Sequence, residues 1–340
     1  MKIVPAATLA AALLALAACG GGSNSSADGS ASTSASSGGT PTAVRFVFDW
    51  PTPDFELVPI VVGMERGYYK DAGLNVSVSF PPDTATTVKV LGTQDGDVGL
   101  ITTTDMIAAA QANIPVKSIA NYSQSNNWGL FTAPGVPISI DSLAGKTISG
   151  FGDTWTKAML PFVLKTAGLT SSDVKEVVVD NDVPLLLSGK IDIATNTTNY
   201  LPPAVQESTG KQPGVLLAKD AGAPNVPIWV YAGQSTFLQD HADAAKAWLA
   251  ATGKATQWAI DNPEAAVTAF EKAYPKNGYS HGYNLAGWKA TVDVLKDSSG
   301  QLFTQTDAQW TELADALKAV GVISKTNDPS DYYTNEYITP

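Results

Sequence analysis

Apolar and polar positions along this chain change period in an order that recurs. Arg45-Phe46-Val47-Phe48-Asp49-Trp50 is dense in aromatic and branched residues and is stopped by Pro51 and Pro53, which predicts a strand. Helical periodicity follows from Leu57 to Tyr69, with Pro59 in the first turn and Gly73 as the breaker. Leu74 to Phe80 alternates as a half-buried strand does, and Pro81-Pro82 ends it. Asp83 or Thr84 then caps a helix reaching Leu91. Asp97 to Ile101 reads as a short buried strand, followed by Thr102-Thr103-Thr104-Asp105 and a helix through Ala112.

The same order returns a hundred residues on. Lys146–Ser149 predicts a strand, Gly150-Phe151-Gly152-Asp153-Thr154 a turn, and Trp155 to Ala167 a helix. Val174–Val179 predicts a strand, Asp180-Asn181-Asp182 a cap for a helix to Ser188, and Ile191–Ala194 a strand before Thr195-Asn196-Thr197-Thr198-Asn199. Leu91-Gly92 before Asp97-Val98-Gly99 is matched by Ser188-Gly189 before Ile191-Asp192-Ile193, each leading into a Thr-rich run. Further strands are expected at Val116–Asn121, Gly129–Thr132, Val215–Ala218 and Ile228–Ala232. From Phe237 onward the pattern is helical: His241–Ile260, Pro263–Ala273, His281–Lys296 and Asp307–Val320, with Trp248, Trp258, Trp288 and Trp310 as core anchors.

Alternating strands and helices imply an α/β fold with mostly parallel sheets flanked by helices, and ligands in such sheets lie beyond the carboxyl ends of the strands. The polar loops after the strands are therefore the candidate site. The segments near 121–130 and 225–233 are placed to carry the chain from one half to the other and back.

Ahead of this stands a different pattern. Lys2, a dozen apolar residues and Leu16-Ala17-Ala18-Cys19 read as a secretory signal over 1–19, with Cys19 as a lipidation site. Residues 20–42 are dominated by Ser, Gly, Ala and Thr, too polar to offset their ordering entropy; as a flexible tether they span about 25 Å root-mean-square. Cys19 is the only cysteine, which excludes an intrachain disulfide. The remaining ~300 residues exceed what one core usually organises, so two lobes are expected. A net charge of −11 argues against nucleic acid as a partner.

Several motifs fail. Gly145-Lys146-Thr147 lacks the first glycine of a phosphate loop, and Asp95-Gly96-Asp97 and Asp180-Asn181-Asp182 are too short for a calcium loop. His241 and His281 open helices and read as caps. No metal and no cofactor are expected. Paired carboxylates leave a cell-surface hydrolase open as a reading.

Phe48-Asp49-Trp50, the stretch Gly63-Met64-Glu65-Arg66-Gly67-Tyr68-Tyr69-Lys70-Asp71-Ala72-Gly73-Leu74, Pro81-Pro82, Gly96-Asp97-Val98-Gly99 and Ser142-Leu143-Ala144-Gly145-Lys146 resemble the ABC-transporter substrate-binding proteins of the nitrate, sulfonate and thiamine-pyrimidine group. The resemblance covers Phe46 to Tyr200 and implies a two-lobed periplasmic-binding-protein fold of the second type. It divides the chain into lobe 1 (43–126 plus 231–340) and lobe 2 (127–230). It also implies a lipid-anchored monomer on the outer face of the cell membrane that closes on a small molecule and delivers it to an ABC permease. The Asp-Trp and Pro-Pro features lean toward thiamine precursors. Many thiamine-pyrimidine members carry Asn-His after the Trp; here Glu56 stands where that His falls. Related eukaryotic pyrimidine-making enzymes use the His with a cysteine-rich motif. Both are missing here, so no enzymatic activity is expected.

The expected mouth residues are Trp50, Asp54, Phe55, Thr84, Thr103, Thr104, Gln124, Asn127, Asp153, Thr154, Trp155, Asn196 and Asn199, with Trp128 and Tyr200 beside them. Ring faces for stacking and polar groups for a ring edge suit a flat N-heteroaromatic ligand. Thr84, Asp153, Asn196 and Asn199 serve equally well as helix caps. Basic residues are scarce in these loops, Lys157 being nearest, which weighs against the alternative ligands alkanesulfonate, taurine and nitrate. Backbone N–H groups of Gly150–Thr154 keep an anion possible in principle. A sensory rather than a transport role fits the same fold.

Overall fold

Two five-stranded sheets with one shared strand order carry the molecule. The computed structural model describes residues 40–339; the expected signal segment with Cys19, and the expected tether up to residue 39, lie outside them. The strands are β1 (Thr42–Val47), β2 (Leu74–Ser79), β3 (Val98–Thr102), β4 (Val116–Asn121), β5 (Trp128–Thr132), β6 (Thr147–Gly150), β7 (Lys175–Val178), β8 (Ile193–Thr197), β9 (Gly214–Leu217) and β10 (Trp229–Gln234). The first sheet runs β2-β1-β3-β10-β4 and the second β7-β6-β8-β5-β9. Substituting β6 to β9 for β1 to β4, and β5 for β10, converts one order into the other. The recurrence read in the sequence is thus a recurrence of topology.

One detail fixes the register of the two copies. In the first, the backbone N–H of Arg45 donates to the Asp97 carboxylate at 2.7 Å and Asp97 N–H returns to Arg45 C=O at 2.9 Å. In the second, Thr147 N–H donates to the Asp192 carboxylate at 2.8 Å and Asp192 N–H returns to Thr147 C=O at 3.0 Å. An aspartate before the third strand thus satisfies the free edge of the first strand in both copies.

The sheets are mixed rather than purely parallel. β1 runs parallel to β2 and β3, while β10 runs antiparallel to β3 and β4. β6 runs parallel to β7 and β8, while β5 runs antiparallel to β8 and β9. The reversed strand in each sheet is the one delivered from the other sheet, so its direction is set by the crossover and not by a strand–helix–strand return.

Two local departures have plain causes. β1 ends at Val47: Phe48 N–H still reaches Ser79 C=O at 2.9 Å, and Asp49 to Pro51 then turn off the ladder, where proline has no N–H to donate. The helix expected from Leu57 to Tyr69 is broken into Val58–Glu65 and Tyr68–Asp71 by Gly67 at φ 75°, a conformation glycine adopts without strain.

Helices Val58–Glu65, Ala242–Asp261, Pro263–Ala273 and His281–Leu295 share one core with the first sheet. Trp248 sits at its centre, stacked 5.9 Å from Phe46 and edge-on to Tyr231 at 5.2 Å. Trp288 and Trp310 are also buried, as expected, whereas Trp258 is half-buried beneath the Arg66 guanidinium at 4.1 Å. A second core is continuous between the sheets, joining Val47 and Ile107 to Ile148, Met159 and Leu313. The two sheets therefore belong to one compact body. Among the described residues no helix is long and apolar enough to cross a membrane.

Candidate functional site

The carboxyl ends of the parallel strands of both sheets face a common cavity of about 730 Å³. From the first sheet come Asp49, Trp50 and Pro51 beyond β1, and Thr102 at the end of β3. From the second come Phe151 and Asp153 beyond β6, Asp180 to Asp182 beyond β7, and Asn196 and Thr197 at the end of β8. Strand ends expose unpaired backbone and short polar loops, which is why this is where a sheet of this kind receives a ligand. Gly152 at φ 74° lets the chain turn from β6 into helix Thr154–Thr166.

The walls are aromatic. Trp50 and Phe151, one from each sheet, meet edge to face at 5.9 Å. Tyr279 and Tyr283 stack at 4.8 Å, and Trp128, Trp155, Trp229 and Tyr200 complete the lining. Four lining side-chain atoms are buried without a hydrogen-bond partner: Asp49 Oδ1, Asp153 Oδ2, Trp155 Nε1 and Thr197 Oγ1. Buried polar atoms are normally paired, so these four mark unmet hydrogen bonds in the cavity wall.

Of the residues expected at the mouth, Trp50, Asp153, Trp155 and Asn196 line the cavity. Asp153 also caps its helix, with Thr156 N–H donating to Oδ1 at 2.6 Å; the two roles are combined, one per oxygen. Asn196 donates to Asp182 Oδ2 at 2.9 Å. Thr84 opens helix Thr84–Gly92, whose cap is Asp83, which accepts from Thr86 N–H at 2.8 Å. The remaining expectations are placed elsewhere. Phe55 is fully buried behind the wall, its ring tilted against Tyr200 at 4.7 Å. Thr103 donates to Pro227 C=O at 2.7 Å and pins the returning crossover. Thr104 and Thr154 bond each other at 2.9 Å, and Thr154 donates to Asp105 at 2.8 Å, tying helix Thr103–Gln111 to helix Thr154–Thr166. Gln124 pairs with the backbone of Thr304 at 3.2 Å. These side chains found intramolecular partners because the strand-end loops also close the two halves on each other.

Asp54, Asn127 and Asn199 form a buried chain behind the cavity. Asp54 accepts from Glu56 N–H at 2.9 Å and from the Tyr200 hydroxyl at 2.8 Å. Asn127 donates to Asn199 at 3.0 Å, and Asn199 donates to Glu56 Oε1 at 3.0 Å and Thr291 at 3.1 Å. The chain ends on Glu56, which does line the cavity. Burial pushes the Asp54 carboxyl up to about 7. Burial, reinforced by the Asp54 charge, holds Glu56 well above the usual carboxylate range. Burial likewise raises Asp49 well above that range, with the charges of Asp105, Glu56 and Asp153 adding to it. Asp182 is raised by burial too.

Asp49, Glu56, Thr102, Phe151, Asp182 and Trp229 were not among the expected contacts. For Glu56 a signal existed: an acid beside the apolar run Leu57 to Val62 must be either buried or at a boundary. Tyr279 and Tyr283 had none, because they reach the cavity from the start of helix His281–Leu295 and the loop before it, far along the chain. His281 is no cap: Ser280 caps that helix, and His281 bridges Glu271 at 3.0 Å and Glu264 at 3.2 Å. His241 occupies the cap position of helix Ala242–Asp261 but makes no side-chain capping bond.

Comparison with known proteins places these features in context. The family described as NMT1/THI5 like matches residues 54–266. A Saccharomyces cerevisiae protein named 4-amino-5-hydroxymethyl-2-methylpyrimidine phosphate synthase is 24% identical over 87% of this chain and 88% of its own. The formylaminopyrimidine-binding protein of Halalkalibacterium halodurans is 24% identical over 66% of this chain and 68% of its own. The periplasmic nitrate-binding protein of Synechocystis PCC 6803 superposes with a TM-score of 0.67 at 13% identity, covering 87% of both chains. The fold is therefore that of the periplasmic binding proteins, as the resemblance implied. The expectation of no enzymatic activity is corrected: relatives matching most of this chain are named as synthases, so the missing His and cysteine motif does not remove the chain from a family containing enzymes.

Proposed function

The chain belongs to the NMT1/THI5-like family, and from that premise we propose that it captures a small N-heteroaromatic molecule, a thiamine-related pyrimidine, as the solute-binding component of an ABC importer. Capture works by closure of two lobes, 43–126 with 231–340 and 127–230, about the segments that cross between the sheets. Lipidation of Cys19 and the polar tether that follows it, which ends where β1 begins at Thr42, hold the protein as a monomer at the outer face of the cell membrane.

The observation that carries this reading is the cavity itself. Indole and phenol faces surround a space of about 730 Å³, with Asp49, Asp153, Trp155 and Thr197 offering unpaired acceptors and donors to a ring edge. No Lys, Arg or His lines it among the described residues, and the Asp153 carboxylate occupies the helix N-terminus that an oxyanion would need. That combination supports a flat, nitrogen-rich ligand over nitrate or a sulfonate.

Isothermal titration of the full chain in detergent provides the test. Binding of 4-amino-5-hydroxymethyl-2-methylpyrimidine near micromolar Kd, with no heat from nitrate or methanesulfonate, is the expected result. Binding of either anion in place of the pyrimidine would overturn it. Cys19→Ala should move the protein from the membrane fraction to the soluble one; retention at the membrane would remove the anchor.

A further inference from the structure

We propose that the cavity selects a ligand carrying a permanent positive charge, an ammonium group seated against Asp49. This rests on the cavity being the ligand site, as proposed above, and adds the charge of what occupies it.

The lining holds seven carboxylates and no cationic side chain among the described residues. Asp49, Glu56 and Asp182 are buried, Asp153 is half-buried, and Asp83, Asp180 and Glu207 are exposed at the rim. Arg45, the basic residue nearest Asp49 in sequence, is spent on Asp97 at 2.7 Å. Asp49 is 5% exposed and its Oδ1 has no partner. A buried carboxylate with one oxygen left unpaired is costly, and a proton or an incoming cation recovers that cost. Trp50 and Trp229 in the same wall suit the second outcome, since ring faces attract a cation more strongly when water is excluded.

The neighbours of Asp49 sharpen the argument. Asp105, Glu56 and Asp153 all add negative potential to it, and the Trp229 indole is the one group acting in the other direction. Asp105 is satisfied by Thr102 and Thr154, and Glu56 by Asn199, so neither needs the ligand. The unmet demand converges on Asp49 Oδ1 and Asp153 Oδ2. A cation must displace any proton Asp49 holds, so its binding releases protons and strengthens as pH rises. A neutral ligand of the same shape lacks that dependence.

The test compares three probes with one ring: 4-amino-2-methylpyrimidine bearing 5-aminomethyl (cationic), 5-hydroxymethyl (neutral) or 5-phosphooxymethyl (anionic). A second pair, benzylamine and benzyl alcohol, separates charge from ring chemistry. Titrations use the full chain between about pH 7 and 8.5, where the aminopyrimidine ring is mostly uncharged and the aminomethyl group is protonated, in buffers of different ionisation enthalpy that report proton release. The aminomethyl probe should bind about tenfold or more tighter than the hydroxymethyl probe, the margin of a charge-assisted over a neutral hydrogen bond, with the phosphate weakest. Asp49→Asn should bring the cation-to-neutral ratio close to one, and Asp49→Glu should retain it. Equal or tighter binding of the neutral or anionic pyrimidine overturns the proposal whatever the variants do. If no pyrimidine binds but benzylamine outbinds benzyl alcohol, the charge inference stands and the pyrimidine reading falls. If neither amine binds, the charge inference falls with it.

Discussion

Trp50 stands where β1 abandons its ladder, with Phe151 of the other sheet against its ring edge. It is only partly buried, so its removal takes little from the core. Trp50→Ala should weaken ligand binding roughly tenfold or more while leaving the melting temperature nearly unchanged. Unaltered affinity by titration calorimetry would take Trp50 out of the site. Asp54 makes the opposite case, a side chain whose effect is on stability. Its folded-state pKa of about 7 lies above the unfolded value of 3.8, and burial is the cause. The folded protein therefore binds the extra proton. That contribution is complete below about pH 4 and is lost as pH rises through about 7. Thermal melts of wild type and Asp54→Asn across this window should show the wild type losing ground to the variant as pH rises. A constant difference would mean that Asp54 does not titrate there.

Elements meet through short polar ties laid over apolar packing. Helices Pro263–Ala273 and His281–Leu295 are joined at the surface by His281, held by Glu271 and Glu264, with Lys289 3.8 Å from Glu264. Hydrogen bonds from its ring N–H groups to these carboxylates, Glu271 foremost, raise the His281 pKa above its ordinary 6.5. The stabilisation is thus present below about pH 6.5 and disappears as pH rises through the raised value. The pairs are largely exposed, so the effect is below about 1 kcal/mol. His281→Gln should lower the melting temperature slightly at pH 5 and not at pH 9. An equal loss at both would show that packing, not charge, is what His281 supplies.

On the scale of the molecule, each sheet receives one reversed strand from the other, so two segments, after β4 and after β9, join the halves. Polar contacts converge between them: Tyr200 on Asp54, Asn199 on Glu56, Thr154 on Asp105. If the halves pivot about these segments when a ligand enters, the radius of gyration in solution scattering should fall on addition of a binding pyrimidine. An identical scattering curve with and without a bound ligand would leave a preformed cavity and no clamp.

The order of elements was legible in the sequence, because hydrophobic period and Pro or Gly punctuation are local properties. β2, β3 and helices such as Pro263–Ala273 and Asp307–Ala319 lie where period and breakers put them. The recurrence of Asp97 as Asp192 even carried the shared topology. The location of the site at the strand ends followed from that order. Which strand-end residues face the cavity did not. A threonine, asparagine or aspartate there can cap a helix, bond across to the other half or face a ligand, and nothing local distinguishes these choices. Thr104 and Asn199 turned inward to protein partners, while Asp153 divided its two oxygens between cap and cavity. Only the assembled halves decided this. They also brought Tyr279 and Tyr283 to a wall built by residues two hundred positions earlier, and buried Asp49 and Glu56 together. Burial and the proximity of like charges depend on distance in space, which the linear sequence does not contain.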